Sequence, residues 1–188
     1  MYYTYMGNDN YQITLKVYRE CGPANTQGTD FDDQIVLGVF NMQNNSFIDE
    51  YNVFLNNSTV QNVPVIMTNP CGTPPSDLCV EEATYTITLS LPGTFGYAIV
   101  WQRCCRNPTI TNLQNFGGAD NPGMTSVVTI PGTTEIGNVI NSSPVFQEFP
   151  PVALCANFEF FFDHAANDPD GDELVYSFCA PFDGGTAN

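Results

Sequence analysis

The stretch Ala83-Thr84-Tyr85-Thr86-Ile87-Thr88-Leu89-Ser90-Leu91 alternates apolar and small polar side chains with a period of two over its whole length. In an extended chain successive side chains point to opposite faces, so this pattern presents Ala83, Tyr85, Ile87, Leu89 and Leu91 to a core and the hydroxyl residues to the other side. Pro92-Gly93 ends the run, and Tyr97 to Arg103 reads as the next strand, which predicts a hairpin over 83–103. Working outward, Tyr11, Ile13, Leu15 and Val17 alternate with Gln12, Thr14 and Lys16 in the same way. Shorter strands are expected at Gln34–Asn41, Phe47–Leu55, Val60–Thr68, Ser126–Ile130, Phe158–Phe162 and Glu173–Cys179, with Gly, Pro and Asn between them. Helical periodicity does not recur, and the Asn-, Gly- and Pro-rich segment Asn107–Gly123 reads as a long surface loop. The expected fold is all-β: an Ig-like antiparallel β-sandwich.

The chain has 188 residues, more than one small sandwich requires and fewer than two generous ones would take. A polar stretch, Asn141-Ser142-Ser143, gives way to Pro144-Val145-Phe146, which places a boundary there. Residues 1–140 are therefore expected to form the sandwich, and 141–188 to begin a second β unit too short to close by itself. No signal peptide opens the sequence and no apolar run approaches the roughly 20 residues of a membrane span, so an excised mature segment without membrane insertion is expected.

Hydrophobic residues make up 43% of the chain, enough for a core, while charged residues make up only 13%. Twenty acids against four bases give a net charge of −16, which repels phosphate backbones and excludes nucleic acid as a natural partner. The C-terminal part holds Glu148, Glu159, Asp163, Asp168, Asp170, Asp172, Glu173 and Asp183 without a Lys or Arg, so cations are its natural counter-species.

Cysteines stand at 21, 71, 79, 104, 105, 155 and 179. With no C-x2-C pair and one histidine, zinc is a poor account of them, and disulfides in an oxidising, extracellular setting are the better one. Cys71 and Cys79 bracket a loop containing Gly72, Pro74 and Pro75 that a bond could close. Cys104 and Cys105 are adjacent and should reach different partners, Cys21 being one candidate, and Cys155 with Cys179 could join two strands. Seven is odd, which predicts a free thiol or a partner beyond Asn188.

The chemistry concentrates in Asp168-Pro169-Asp170-Gly171-Asp172. Carboxylates at alternate positions around a Gly turn can converge on one hard cation, and Ca²⁺ accepts about six to eight oxygens. The loop is not an EF-hand, because the Gly is at its fourth position and the flanks are strands. Asn141, Asp163 or a Glu of the first unit could complete the shell, and a linker ligand would let calcium stiffen the junction. The plainer reading is an acidic surface turn.

Other candidates favour structure over chemistry. Arg19, Arg103 and Arg106 lie within two residues of cysteines and could form an anion-binding patch, but pairing with Glu20, Asp32, Asp33, Glu81 or Glu82 explains them more simply. Trp101 falls on the apolar side of its strand with Tyr97 and Ile99, which suits core packing better than sugar stacking. His164 is the only ordinary general base, and neither a nucleophile elbow, a phosphate loop nor a zinc-protease pair is present, so no enzyme is expected. Sequons at Asn44, Asn56, Asn57 and Asn141 point weakly to surface exposure.

Three strings, Ile13-Thr14-Leu15-Lys16-Val17-Tyr18-Arg19-Glu20-Cys21, Cys79-Val80-Glu81-Glu82-Ala83-Thr84-Tyr85 and Gln102-Arg103-Cys104-Cys105-Arg106-Asn107, resemble the N-terminal region of large secreted Bacteroidota surface proteins. Such proteins are gliding-motility-associated or carry a type 9 secretion sorting domain. The stretch from Phe162 through Asp168-Pro169-Asp170-Gly171-Asp172 to Tyr176-Ser177, with the preceding Pro144-Val145-Phe146, is similar to a cadherin-type repeat. That resemblance implies calcium ligation by Asp168, Asp170 and Asp172 with help from Asn141, although Asn141-Ser142-Ser143 lacks the aspartates of a cadherin linker. The implied function is a non-catalytic adhesin or spacer at the cell surface, binding a surface glycan, a protein ligand or further copies of itself. The alternatives are a subunit of an extracellular filament and a calcium-dependent carbohydrate-binding module.

Overall fold

The computed structural model describes residues 1–21, 30–65, 73, 76–104, 106, 123–132, 141–155, 157–182 and 184. The first eight strands are β1 (Tyr2–Gly7), β2 (Asn10–Glu20), β3 (Gln34–Asn41), β4 (Phe47–Phe54), β5 (Gln61–Asn62), β6 (Val80–Ser90), β7 (Tyr97–Arg103) and β8 (Met124–Ile130). They form two four-stranded antiparallel sheets, ordered β1-β2-β6-β5 and β4-β3-β7-β8. A small hairpin, β9 (Val145–Phe146) with β10 (Ala166–Asn167), follows.

The longest pairing is β2 with β6, in continuous register from Asn10↔Ser90 to Glu20↔Val80. Because both strands alternate without interruption, one register sends Ile13, Leu15, Ala83, Tyr85 and Leu89 inward together, and each of these is buried. From the opposite sheet Ile35, Leu37, Val39, Val53, Ile99, Trp101 and Ile130 meet them in a single core. Trp101 is thus a core residue. Two of the phenol groups that enter this core end on backbone carbonyls: Tyr85 Oη donates to Asp32 O at 2.6 Å and Tyr97 Oη to Pro92 O at 2.9 Å. β1 and β2 are joined by Asn8-Asp9, both at positive φ (51° and 58°), the two-residue turn whose twist matches a right-handed hairpin.

The structure corrects the expected hairpin over 83–103. β6 pairs with β2 and β5, whereas β7 pairs with β3 and β8, so the chain crosses between sheets after Ser90. Both strands carry an apolar face that must meet the same core, and opposite sheets satisfy that. Leu91, buried and donating its N–H to Asp9 O at 2.8 Å, anchors the crossing on the first turn. The strands expected at Phe158–Phe162 and Glu173–Cys179 belong to no ladder among the described residues, and β1, β9 and β10 were not foreseen. The loop expected at Asn107–Gly123 falls, apart from Gly123, outside the described residues.

The cysteine pairing also differs from expectation. Cys21 bonds Cys79, with Cα atoms 5.0 Å apart, because these two residues are the next rung after Glu20↔Val80 and Cys21 N–H already donates to Cys79 O at 2.9 Å. A Cys71–Cys79 bond is thereby excluded; Cys71 and Cys105 lie outside the described residues. Cys104 and Cys155 are disulfide-bonded as well, whereas Cys179 is an exposed free thiol, so Cys155 and Cys179 do not pair. The Cys21–Cys79 bond closes a span of 58 residues. Loop-closure entropy for that span gives it about 4 kcal/mol. Replacing both cysteines by serine should lower the unfolding free energy by about that amount in urea titration while leaving the far-ultraviolet spectrum of the sheets unchanged.

Candidate functional site

The linker and the aspartate turn meet at the free edge of β1. Ser143 and Tyr3 exchange hydrogen bonds, Ser143 N–H to Tyr3 O at 2.9 Å and Tyr3 N–H to Ser143 Oγ at 3.0 Å, and Tyr5 N–H donates to Ser142 Oγ at 3.2 Å. Two serines thus occupy backbone groups that an edge strand would otherwise leave open, and both are buried there. Short hydroxyl side chains in a polar linker are what this role needs, since each can accept from a neighbouring N–H without bulk.

Onto this linker the turn docks through its carboxylates. Asp170 Oδ2 accepts from Ser142 N–H at 2.5 Å, and Asp172 Oδ2 accepts from the Asn141 amide at 3.0 Å. Asn141 in turn accepts from the Tyr3 hydroxyl. Asp168 organises the turn from within, its Oδ1 accepting from Asp170 N–H at 2.9 Å and Asp172 N–H at 3.2 Å. Gly171 sits at φ +83°, a conformation that glycine adopts without the penalty a Cβ would bring. Burial raises the Tyr3 hydroxyl pKa above its usual value, and Tyr11 and the negative charges of Asp170, Asp168 and Asp172 raise it further.

Four of the residues singled out in the sequence, Asn141, Asp168, Asp170 and Asp172, are therefore brought into one hydrogen-bonded group. Asp163 is not joined to it by any described contact; its Oδ1 accepts from Ala165 N–H at 2.9 Å in a local turn. As donors the three turn aspartates suit a hard cation, since each keeps one carboxylate oxygen outside these hydrogen bonds. Among the described residues, however, no three acidic, histidine or cysteine side chains converge closely enough to enclose an ion.

A second polar group lies on the outer face of the first sheet, where the alternation assigns solvent. Glu82 is only 1% exposed there. Tyr18, Glu82 and Gln61 form one row across β2, β6 and β5. The Glu82 carboxylate accepts from Tyr18 Oη at 2.7 Å, from Gln61 Nε2 at 3.2 Å and from Thr84 Oγ1 at 3.4 Å, and Lys16 Nζ approaches it to 3.1 Å. The strap 144–152 covers this row: the Phe149 ring packs edge-on against Tyr18, and Lys16 lies 5.6 Å from its centre. Between strap and sheet is a cavity of about 770 Å³ whose walls include Lys16, Tyr18, Val80, Phe149, Phe162 and His164. The His164 ring packs edge-on against Phe162 and Phe146. Nothing in the local sequence around Glu82 distinguishes it from a solvated acid; Tyr18, Lys16 and Gln61, which hold it, are remote in sequence.

Arg19 and Arg103 are paired with acids, as the simpler reading expects, whereas the described partner of Arg106 is a backbone carbonyl. Arg19 bridges Glu81 at 2.7 Å and Asp30 at 2.5 Å and lies over the Phe31 ring, Arg103 reaches Asp32 at 3.2 Å, and Arg106 Nε donates to Gly123 O at 2.9 Å. Comparison with known protein families, curated proteins and solved structures finds no match to this chain.

Two outcomes follow from this geometry. Burial alone would raise the Glu82 pKa, but the hydrogen bonds from Tyr18 and Lys16 and the Lys16 charge outweigh it and hold the carboxyl below its ordinary value of 4.5. A depressed folded-state pKa contributes stability that is present above the unfolded value and lost as pH falls through the folded one. Thermal midpoints should therefore drop on acidification below about pH 4.5, and Glu82→Leu, which leaves the part-exposed Lys16 ammonium and Tyr18 phenol to solvent, should cost about 1 kcal/mol at pH 7 and flatten that acid slope. Separately, Asp168→Ala should deprotect the Asp170 and Asp172 amides in hydrogen exchange while the amides of β2 and β6 keep their protection.

Proposed function

We propose that this chain is a non-catalytic, extracellular adhesion or spacer module of a secreted surface protein, with an Ig-like sandwich whose junction to a second β unit is stiffened by calcium. The observation that carries the extracellular reading is the Cys21–Cys79 disulfide at the end of the longest ladder, since such structural bonds persist in oxidising compartments. The Ig-like reading is supported by the strand order, β1-β2-β6-β5 against β4-β3-β7-β8, which is the A-B-E-D and C′-C-F-G arrangement of Ig sandwiches. It departs from antibody domains in that Cys21–Cys79 lies within a sheet instead of bridging two. The resemblance to the N-terminal region of secreted Bacteroidota surface proteins supplies the secreted surface setting, and the acidic balance supplies the preference for cationic counter-species.

Calcium would be held by Asp168, Asp170 and Asp172, with Asn141 contributing from the linker. The three turn aspartates belong to one loop already docked on β1 through that linker, so a cation there acts on the join between the units. A filament subunit is the second reading, favoured by the ladderless, solvent-exposed segment that follows the turn. Calorimetric titration of calcium into oxidised, chelator-stripped protein should give a dissociation constant of about 10⁻⁴–10⁻³ M, the range of extracellular modules, and a melting temperature that rises with the ion. Asp170→Asn should abolish both effects; an unchanged titration in that variant, or no heat in the parent, would remove calcium from the account.

A further inference from the structure

The only lysine and the only histidine of the sequence, Lys16 and His164, line the same cavity. At about 770 Å³, the space between the outer face of the first sheet and the strap 144–152 has the size of a small-molecule site, roughly 300–1,000 Å³. Lys16 and Tyr18 from β2 and Val80 from β6 form its floor, and Phe146 and Phe149 of the strap face them. The strap is held at both ends of this span. Phe149 packs edge-on against Tyr18, and Gln147 N–H donates to Ala165 O at 3.0 Å beside the β9–β10 pairing, which sets the rings of Phe146 and His164 against each other. Every residue of the lining lies between Met1 and His164, so the walls are all in place ahead of the aspartate turn.

Charge and hydrogen bonding narrow the ligand. Lys16 is bonded to Glu82, so the floor brings no net charge. A cation entering the cavity meets the Lys16 ammonium, and an anion meets Glu148 of the lining in a chain of net charge −16. An uncharged ligand meets neither penalty. Tyr18 Oη gives its proton to Glu82, which leaves its oxygen as an acceptor, and Lys16 has three N–H groups against the two oxygens of Glu82, which leaves a donor. Aliphatic hydroxyls both donate and accept, and the C–H face of a sugar ring suits the apolar face of an aromatic one, so a sugar engages floor and strap together. We infer that the cavity under the strap binds an uncharged pyranose, a terminal sugar of a surface glycan. This rests on the adhesion reading and deepens it with a ligand class and a site, one that is separate from the aspartate turn and independent of calcium.

Because Lys16 and His164 are each unique, their side-chain proton resonances report on the cavity directly, and the indole of the single, buried Trp101 serves as the control. The methyl glycosides of glucose, galactose and mannose are titrated into the protein in chelator. At least one should shift the Lys16 and His164 signals saturably, with a dissociation constant of about 10⁻³ M, and leave the Trp101 signal in place. Glucuronate and glucosamine, its charged counterparts, should bind at least about tenfold more weakly. Phe149→Ala, which removes the ring against Tyr18 and Lys16, should weaken binding about tenfold, and Val80→Phe, which fills the floor, should abolish it, both with the Trp101 signal retained. The inference is overturned by no shift with any of the three glycosides, by a charged sugar binding as tightly, by full affinity in both variants, or by shifts that appear only with calcium. If the glycosides are silent while calcium still raises the melting temperature, the sugar site fails and the calcium-stiffened module stands.

Discussion

The uninterrupted pairing of β2 with β6 is the constraint from which the rest of the structure follows. Eleven residues on each strand meet in one register, and because side chains alternate, that register decides both faces at once. Inward it assembles half of the core. Outward it sets Tyr18 beside Glu82 and Lys16 beside Thr84, the row on which the strap 144–152 rests. At its far end the same register makes Cys21 and Cys79 neighbours, so the disulfide is a continuation of the ladder and not a separate staple across a loop. A slip of one residue would expose Ile13 and Leu15, bury Gln12 and Lys16, and part the two cysteines.

The second dependency is a relay of polar contacts along the β1 edge. Tyr3 is held in β1 by β2, Asn141 is held by the Tyr3 hydroxyl, and Asp172 by the Asn141 amide, while Ser142 ties Asp170 to the same edge. The aspartate turn is therefore positioned by the sandwich, although its own shape comes from Asp168 and Gly171. An acidic turn with no base nearby gains from N–H donors what it would otherwise take from solvent or a cation. Sealing an edge strand and seating an acidic turn are achieved by three consecutive residues, Asn141, Ser142 and Ser143.

How much of this the sequence discloses depends on the range of the interaction. Strands with clean alternation, such as Ala83–Leu91 and Tyr11–Val17, are legible because their pattern is local, and so is the inward side of Trp101. Partnership is not local: Pro92-Gly93 looks the same whether the chain turns back in one sheet or crosses to the other, and only the shared core decides for crossing. The Cys71–Cys79 spacing was sterically easy, yet a register set 58 residues away governs where Cys79 bonds. Glu82 is unreadable as a buried group because the groups that hold it, Tyr18, Lys16 and Gln61, come from other strands, and Phe158–Phe162 and Glu173–Cys179 have the composition of strands without a ladder partner among the described residues. The aspartate turn was legible as a unit from its spacing; its attachment to Asn141 and Ser142, a contact 28 to 31 residues apart, was foreseen only in the case of Asn141.

The central claim is that one ladder anchors the fold while the segment after the aspartate turn is left unpaired on its surface. Residue-resolved hydrogen exchange over the whole chain tests it most directly. The account predicts slowest exchange in the middle of β2 and β6, intermediate exchange at Tyr3, Tyr5 and Ser143, and exchange near the unprotected rate from Glu173 to Phe182. Protection of Leu174–Ala180 comparable to that of β6 in the isolated, dilute chain would contradict it.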